Sequence, residues 1–504
     1  MQLYNHFPLV TILLPMVIAL VMSLVNDEKT ARYITTAAEA VLALLSAILL
    51  VIMLNAQVGT FTYTMGSFPA PWGNELRAGP FEAAVSCAFA IVMLFAINGG
   101  ALDTVRDIKK EKVKYYYLMI NLLTASLMAL VYTNDIFTGY VFIEINTLAA
   151  CIIVAVKDSG ETIKATIKYM SMSILGSALF LLSTIILYSI TGHLLMEPAH
   201  RVIGELAATG RYIVPLVMTL VLYMISVSVK SALFPFHSWL PDAHGYATTT
   251  SSAVLSSLVL KGYIILLIKL VTRVYGIDVI SMLGIMPVLF ALGLLAMIMG
   301  SIIAMIQKDI KRMIAYSTIA HIGYIFMGIG LNTPAGYAAA SFHVIAHAFT
   351  KSMLFISAGA LINTVGSKNI SDMTGAARKD KIAGAAFLAG ALSLIGIPLF
   401  AGFPSKFYLA NAAMQSSGGT WIAIVFLALS TFLNAIYYVP VLYKLYSNNG
   451  SQILKARASQ AHGIKTAFTA SAPALICLLA ANIALGVFYV PLINALEQGF
   501  TWLA

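Results

Sequence analysis

Val227-Ser228-Val229-Lys230-Ser231-Ala232-Leu233-Phe234-Pro235-Phe236-His237-Ser238-Trp239-Leu240-Pro241-Asp242-Ala243-His244 puts a lysine where an apolar span should continue, and a proline five residues later. Lys261 follows, well inside the next apolar run. A charge near a bilayer centre costs roughly 2.5 kcal/mol or more on insertion scales, so it marks a functional site by default. Proline removes a helix hydrogen bond and frees a carbonyl, which lipid cannot satisfy but a hydrated, protein-lined cavity can. The stretch reads as a helix broken at Pro235 beside a polar channel.

The surrounding composition supports a bilayer setting. The 504 residues are 60% hydrophobic and 10% charged, with a mean hydropathy of +0.90, whereas soluble chains carry about 25% charged residues. The expected fold class is an all-α polytopic membrane protein, one membrane domain over residues 1–504. The net charge of +10 does not point to nucleic acid, because the basic residues sit in short loops between apolar spans and form no patch. Cys87, Cys151 and Cys477 each lie in an apolar run and no Cys-x-x-Cys occurs, so neither an iron–sulfur cluster nor a zinc site is expected.

A crossing helix needs about 20 apolar residues. That criterion predicts about fourteen spans, near 7–26, 33–54, 80–101, 115–133, 136–156, 169–190, 211–240, 247–272, 279–306, 313–331, 336–365, 382–415, 419–443 and 466–497, with the seventh and twelfth broken. The first has no basic residue before it and is expected to be a retained span rather than a signal peptide. With the N-terminus outside, the predicted inner loops hold 21 Lys and Arg residues and the outer loops only Arg77, Arg201, Arg211 and Arg273. The positive-inside rule then places both termini on the outer side. Lys269 is expected to reach outward beside Arg273, and Glu82 to face interfacial water. Lys230, Lys261, Lys351 and Lys406 have no such exit. Glu144, alone in the apolar fifth span, is the natural partner of a buried lysine, and Asp135 stands at that span's outer start.

The second broken span reads Ile395-Gly396-Ile397-Pro398-Leu399-Phe400-Ala401-Gly402-Phe403-Pro404-Ser405-Lys406, with helix breaks expected at Pro398 and Pro404. Its offset from the first is five spans, an odd number, which inverts one unit relative to the other. Interrupted spans in corresponding positions are the sequence pointer to an inverted-repeat transporter. The expected division is spans 1–3 in residues 1–114, a first five-helix repeat in 115–273, an inverted second repeat in 274–445, and a loop with the last span in 446–504.

Between the breaks, His343, His347 and Lys351 recur every four residues and share one helix face, with His321 in the preceding span. Two histidines at i and i+4 on one helix cannot be the two axial ligands of a haem, and zinc would want cysteine or carboxylate company. Ser238 to His244 has no strand-to-helix elbow of the hydrolase kind, and nothing in the chain reduces a quinone. No cofactor and no catalytic centre are therefore expected. Ion movement remains: desolvation lowers a buried lysine's pKa and a nearby carboxylate raises it, so buried lysines with histidines between them can pass protons and be switched by neighbouring charge.

Three long strings carry a resemblance: Asp135-Ile136-Phe137-x-x-Tyr140-Val141-Phe142-x-Glu144, Lys230-x-x-x-Phe234-Pro235-x-His237-x-Trp239-Leu240-Pro241-x-Ala243-His244, and Ala315-Tyr316-Ser317-x-x-x-His321-x-Gly323. With Lys261 and Lys406 they make the chain, over nearly all its length, similar to the antiporter-like membrane subunits shared by respiratory complex I, Mrp-type cation/proton antiporters and membrane-bound hydrogenases. The resemblance implies a fourteen-helix unit with inverted five-helix repeats. It implies a coupling ion pair between Glu144 and Lys230, a central proton carrier in Lys261, a continuation through His321, His343, His347 and Lys351, and a terminal station in Lys406. Asp135, His237 and His244 are accessory candidates.

Lysine at 406 departs from family members that carry glutamate there. The length to Ala504 and Pro69-Ala70-Pro71-Trp72-Gly73 in an outer loop resemble the medium-length, Mrp D-like type. The function that the resemblance implies is that of a proton-translocating subunit in the cell membrane, either in an Mrp-type antiporter or in a hydrogenase carrying an Mrp module. The second reading is a proton-pumping subunit of an NADH:quinone oxidoreductase. Expected partners are lipid, further antiporter-like subunits, small multi-span subunits and protons. Sodium stays open, since its oxygen ligands, with Glu144 and Asp135 as candidates, need a geometry that sequence does not give.

Overall fold

Apolar runs of this length leave the backbone one way to satisfy itself in lipid, and that is helix. The computed structural model describes residues 3–55, 59–68, 73–416, 420–448 and 471–501. Among these, twelve helices are long and apolar enough to cross a bilayer, and up to thirteen when the pair Ala472–Val487 and Tyr489–Phe500, bent by 71°, counts as one span. The chain is a multi-pass integral membrane protein. About fourteen spans were expected, and the difference lies in the broken twelfth. That segment is two helices, Lys381–Ile395 and Gly402–Gln415, each shorter than the roughly 20 residues a crossing needs. The seventh is likewise divided: a helix Ile213–Lys230 and a short one, Leu240–Tyr246.

Three helices form the interior. Thr249–Tyr275, Ile310–Gly330 and Pro334–Val365 have 100%, 89% and 94% of their most apolar windows buried, against 33% for Trp421–Tyr446 at the periphery. The peripheral helices turn Val141, Ile167, Ile174, Ile185 and Phe432 outward, a belt suited to lipid tails. Lys261, His321, His343, His347 and Lys351 on the inner three are thus enclosed by protein.

Glycine sets how closely two of these layers approach. A Cβ on Gly293 would stand 2.5 Å from the Met327 nitrogen, and one on Gly323 would stand 2.6 Å from the Gly293 carbonyl oxygen. Helices Met286–Met305 and Ile310–Gly330 therefore pack backbone against backbone, in the small-residue manner of membrane helices.

Two features lie outside the helical expectation. A hairpin pairs Phe61–Thr64 with Glu75–Ala78, Phe61 opposite Ala78; residues 69–72 of the outer-loop signature fall outside the described residues. A further helix, Met196–Ala208, buries Met196, Ala199, Ile203 and Ala207 at helical spacing, so it lies on the protein along one apolar stripe.

Candidate functional site

The first break is built around Lys230. Its helix ends on this residue, where the backbone carbonyls leave a partial negative charge that favours an ammonium. Ser231 bonds back to the Val227 carbonyl, and Trp239 Nε1 donates to the Val229 oxygen at 3.1 Å. Trp239 also stacks on Tyr169 at 4.3 Å, so the carbonyls freed by the break are satisfied inside protein.

Fully buried, Lys230 donates to Thr147 Oγ1 at 2.9 Å and lies 5.3 Å from the centre of the Tyr263 ring. It forms no ion pair within 4.0 Å with Glu144: among the described residues, Glu144 Oε1 is buried without a hydrogen-bond partner. The two share a region because Thr147 stands one turn beyond Glu144 on helix Ile136–Ala155. From Thr147 the hydroxyls continue through Tyr263 at 3.2 Å, Asn146 at 3.0 Å and Ser126 at 3.0 Å.

Lys261 sits mid-way along the central helix Thr249–Tyr275, which contains two π-helical turns, Leu255–Val259 and Leu270–Tyr275. The first widens the helix just before Lys261, and the Lys261 ammonium donates to the Ser256 carbonyl five residues back. π-Turns often occur at functional sites, and this one gives a buried cation a backbone partner that a regular α-helix would withhold. Ser256 Oγ meets Thr318 Oγ1 at 2.9 Å, which links the central helix to the next.

The three histidines expected on two spans come together as one stack. His321 Nδ1 and His343 Nε2 are 3.2 Å apart, and His343 Nδ1 lies 2.6 Å from Ser405 Oγ. His347 is stacked on His321 and His343 with ring centres 5.2 and 5.8 Å away, and neither of its nitrogens has a partner among the described residues. An imidazole accepts at one nitrogen and donates at the other, so His321 and His343 can hand a proton between them. One turn further, Lys351 donates to the Ile314 carbonyl at 3.0 Å and to Ser317 Oγ. Lys406 donates to the Ile395 carbonyl at 3.0 Å and to Thr431 Oγ1 at 2.9 Å, with Tyr324, itself stacked on His321, 5.2 Å below its ammonium.

The two break lysines occupy opposite sides of their breaks. Lys230 ends the helix before the first, whereas Lys406 lies in the helix that resumes after the second. Pro398 is in that second break and Pro404 in the first turn beyond it, where a missing N–H costs no helix bond. Pro235 falls in the turn between helices Ile213–Lys230 and Leu240–Tyr246.

Accessory candidates separate. Asp135 is the N-cap of helix Ile136–Ala155, accepting from the Thr138 nitrogen at 2.6 Å, a structural duty. His237 stacks on Phe234 in the break, and neither nitrogen of His244, fully buried against Phe355, has a partner among the described residues.

Sequence reasoning misplaced one group. Lys269 does not reach outward: it is fully buried and donates to the Val131 carbonyl at 2.8 Å and to that of Thr133, capping helix Lys110–Tyr132. Arg273 is not in an outer loop but in the last turn of the central helix, 3% exposed and paired with a fully buried Glu82, which therefore faces no interfacial water. Pairing across distant spans leaves no local trace in the sequence. Asn434, which bonds the Leu394 carbonyl at 3.2 Å and lies 3.4 Å from His321 Nε2, was also unforeseen; so were Ser405 and Thr147, since single neutral polar residues are common in membrane helices.

Among the described residues no group of three His, Cys, Asp or Glu could hold a metal ion. The profile of the family described as NADH:quinone oxidoreductase/Mrp antiporter, TM, matches residues 133–433, which contain every lysine and histidine of the row. The NADH-quinone oxidoreductase subunit N of Desulforudis audaxviator (strain MP104C) is 30% identical over 450 residues, covering 88% of this chain and 86% of that one. A putative antiporter subunit mnhD2 of Staphylococcus aureus is 27% identical over 452 residues, with coverage of 88% and 86%. In fold, the chain is similar to one in the Mrp complex from Dietzia sp. DQ12-45-1b, with a TM-score of 0.86 at 18% identity over 99% of this chain and 98% of that one. It is also similar to one in the archaeal membrane-bound sulfane sulfur reductase, with a TM-score of 0.85 at 24% identity and coverage of 98% and 97%. A profile match over more than half of the chain, centred on the lysine–histidine row, leaves one assignment: the chain belongs to the NADH:quinone oxidoreductase/Mrp antiporter family of membrane subunits.

Proposed function

We propose that the chain moves protons along a row that is half-buried at Glu144 and Lys406 and fully buried between them, from Glu144 and Lys230 through Lys261, Lys351, His347, His321 and His343 to Lys406, as an antiporter-like subunit of a multisubunit membrane complex. The observation that carries this reading is the gathering of Lys261, Lys351 and three histidines on the three innermost helices, with every lysine of the row held by hydroxyls or backbone carbonyls. A lysine held by neutral acceptors can lose its proton without leaving a stranded counter-charge, which an intimate buried ion pair would not permit. In this reading Glu144, without an ion-pair partner among the described residues and one turn from Thr147, approaches Lys230 when a neighbouring subunit moves.

Its relatives are subunits of multisubunit membrane assemblies, and the chain has other membrane subunits as partners. We assign it to an Mrp-type cation/proton antiporter or a hydrogenase carrying an Mrp module, beside further antiporter-like and small multi-span subunits in the cell membrane, with both termini outside. In this reading residues 115–273 and 274–445 are inverted repeats, and the chain needs no cofactor of its own. Identity to a subunit N keeps a second reading, a proton-pumping subunit of an NADH:quinone oxidoreductase, which the subunits co-purifying with the chain would distinguish.

The test is transport in the purified, reconstituted complex. Lys230→Ala and Glu144→Ala should each assemble but lose coupled ion movement, and normal transport in both would sink the proposal.

A further inference from the structure

Helix Glu28–Asn55 carries a polar stripe that the lysine–histidine row does not use. Glu28, Arg32, Thr35, Glu39 and Ser46 recur at spacings that keep them on one face, a strip about 27 Å long at 1.5 Å per residue. Opposite them, at matching intervals, stand Tyr117, Asn121 and Thr124 of helix Lys110–Tyr132. Two hydrogen bonds tie the faces: Asn121 Nδ2 donates to Thr35 Oγ1 at 2.9 Å, and Thr124 Oγ1 donates to Glu39 Oε1 at 2.6 Å. Thr35, Glu39, Ser46 and Asn121 are all fully buried.

Five further polar atoms of the seam have no partner among the described residues. Glu28 Oε2, Tyr117 Oη, Asn121 Oδ1, Glu39 Oε2 and Ser46 Oγ are each buried without a protein partner. One such orphan costs roughly 1–3 kcal/mol. Five along one seam, three on one helix and two on the other, are tolerated only when water reaches them, and a buried water typically needs two to four polar partners of this kind.

Glu39 is the deepest ionisable group of the seam. Among the described residues no cation lies within 4.0 Å of it; Arg32, on the same face, is two turns away. Of the helices packed on this one, Phe7–Met22 brings no ionisable side chain. Pro80–Gly99 brings Cys87 and Glu82, the latter already paired with Arg273. From Lys110–Tyr132 the facing ionisable groups are Tyr117 and, at the mouth of the seam, Lys114, which donates to Asn26 Oδ1 at 3.2 Å. An ionised, unpaired carboxylate at this depth costs several kcal/mol, whereas a carboxylic acid keeps Thr124 as donor to Oε1 and offers its own O–H to water from Oε2.

We propose that Glu39 is a second proton-binding site, a carboxyl loaded through a water-filled seam that opens at Glu28 and runs apart from the lysine–histidine row. The reaction is protonation of the carboxylate by a proton delivered along the seam's water, and its reverse, with no other group consumed. A proton held there neutralises the fully buried acid midway along the seam, so its loss would loosen the packing of helices Glu28–Asn55 and Lys110–Tyr132.

The whole complex in lipid is treated with dicyclohexylcarbodiimide, an apolar reagent that adds to protonated carboxyls, and the 28–55 peptide is examined by mass spectrometry. Infrared spectra are recorded in H2O and D2O alongside. We expect an adduct on Glu39 at about pH 6 that falls by about tenfold or more towards alkaline pH, and a carboxylic-acid C=O band that shifts in D2O and is absent from Glu39→Gln. The glutamine keeps the Thr124 bond, so the variant folds. Lys230→Ala should leave the Glu39 adduct unchanged, which separates this site from the row. An infrared spectrum in which Glu39→Gln removes no carboxylic-acid band overturns the proposal, as does a band that ignores D2O.

Discussion

Lys230 donates to Thr147 at 2.9 Å and makes no ion pair with Glu144, which precedes Thr147 by one turn on the same helix. The threonine thus holds the ammonium in this structure. A hydrogen bond to a charged group is worth about 1.5–3 kcal/mol, so Thr147→Val, which keeps the shape and removes the acceptor, should lower coupled transport by about tenfold or more in reconstituted complex. Thr147→Ser should restore it. Unchanged transport in the valine variant would mean that Glu144 alone controls the lysine.

Gly176 leaves room for the same side chain. A Cβ there would stand 3.0 Å from Lys230 Cγ and 3.2 Å from the Ser226 carbonyl oxygen. Alanine asks the lysine stem to shift by a few tenths of an ångström, whereas valine adds bulk with nowhere to go, at about 1–3 kcal/mol for an overpacked interior. Gly176→Ala should retain most transport and Gly176→Val should lose it, with assembly followed by co-purification of the other subunits.

Ser405 joins the histidine stack to the second break through His343 Nδ1 at 2.6 Å. Removing its hydroxyl leaves that nitrogen without a partner in a fully enclosed pocket, and His343 then loses the acceptor or donor that fixes its tautomer. Ser405→Ala should slow proton movement by about tenfold while Ser405→Thr keeps it, an outcome scaled to one buried hydrogen bond. The comparison is made on transport rate at equal amounts of assembled complex.

How far the sequence carried depended on whether a feature leaves a local mark. Lys230 with Pro235, and Lys406 with Pro398 and Pro404, were legible because a lone cation or a proline interrupts an apolar run. Most span positions followed from the same contrast. The π-turn behind Lys261 was not legible: Leu255–Val259 contains neither glycine nor proline, and the widened turn arises from packing inside a fully buried helix. Lys269 and Arg273 were misread for a related reason. Near a span's end an outward-reaching cation and an inward-bonded one have the same sequence, and only the distant carbonyl of Val131 or the carboxylate of Glu82 decides between them.

Outside the bilayer, Asp158 clamps the turn between helices Ile136–Ala155 and Gly160–Thr191 by pairing with Lys112 at 2.9 Å and Lys109 at 3.0 Å. Its backbone takes a left-handed conformation, φ 57°, which aspartate tolerates better than most residues. The hydrogen bonds from Lys112 and Lys109 pull its carboxyl down to about 2 from 3.8. A depressed carboxyl contributes stability above its unfolded value and loses it as pH falls through the folded one. Protection of the turn, followed by hydrogen exchange corrected for intrinsic rates, should therefore hold from neutral pH to about 4 and fall between about 4 and 2. Lys109 is raised by the same partner, so its contribution is present below 10.5 and is lost only in strong alkali. Asp158→Asn should show the unclamped exchange rate already at neutral pH, and added salt should narrow the difference, because exposed pairs are screened. A variant that exchanges like the parent at low salt would mean that the backbone alone holds the turn.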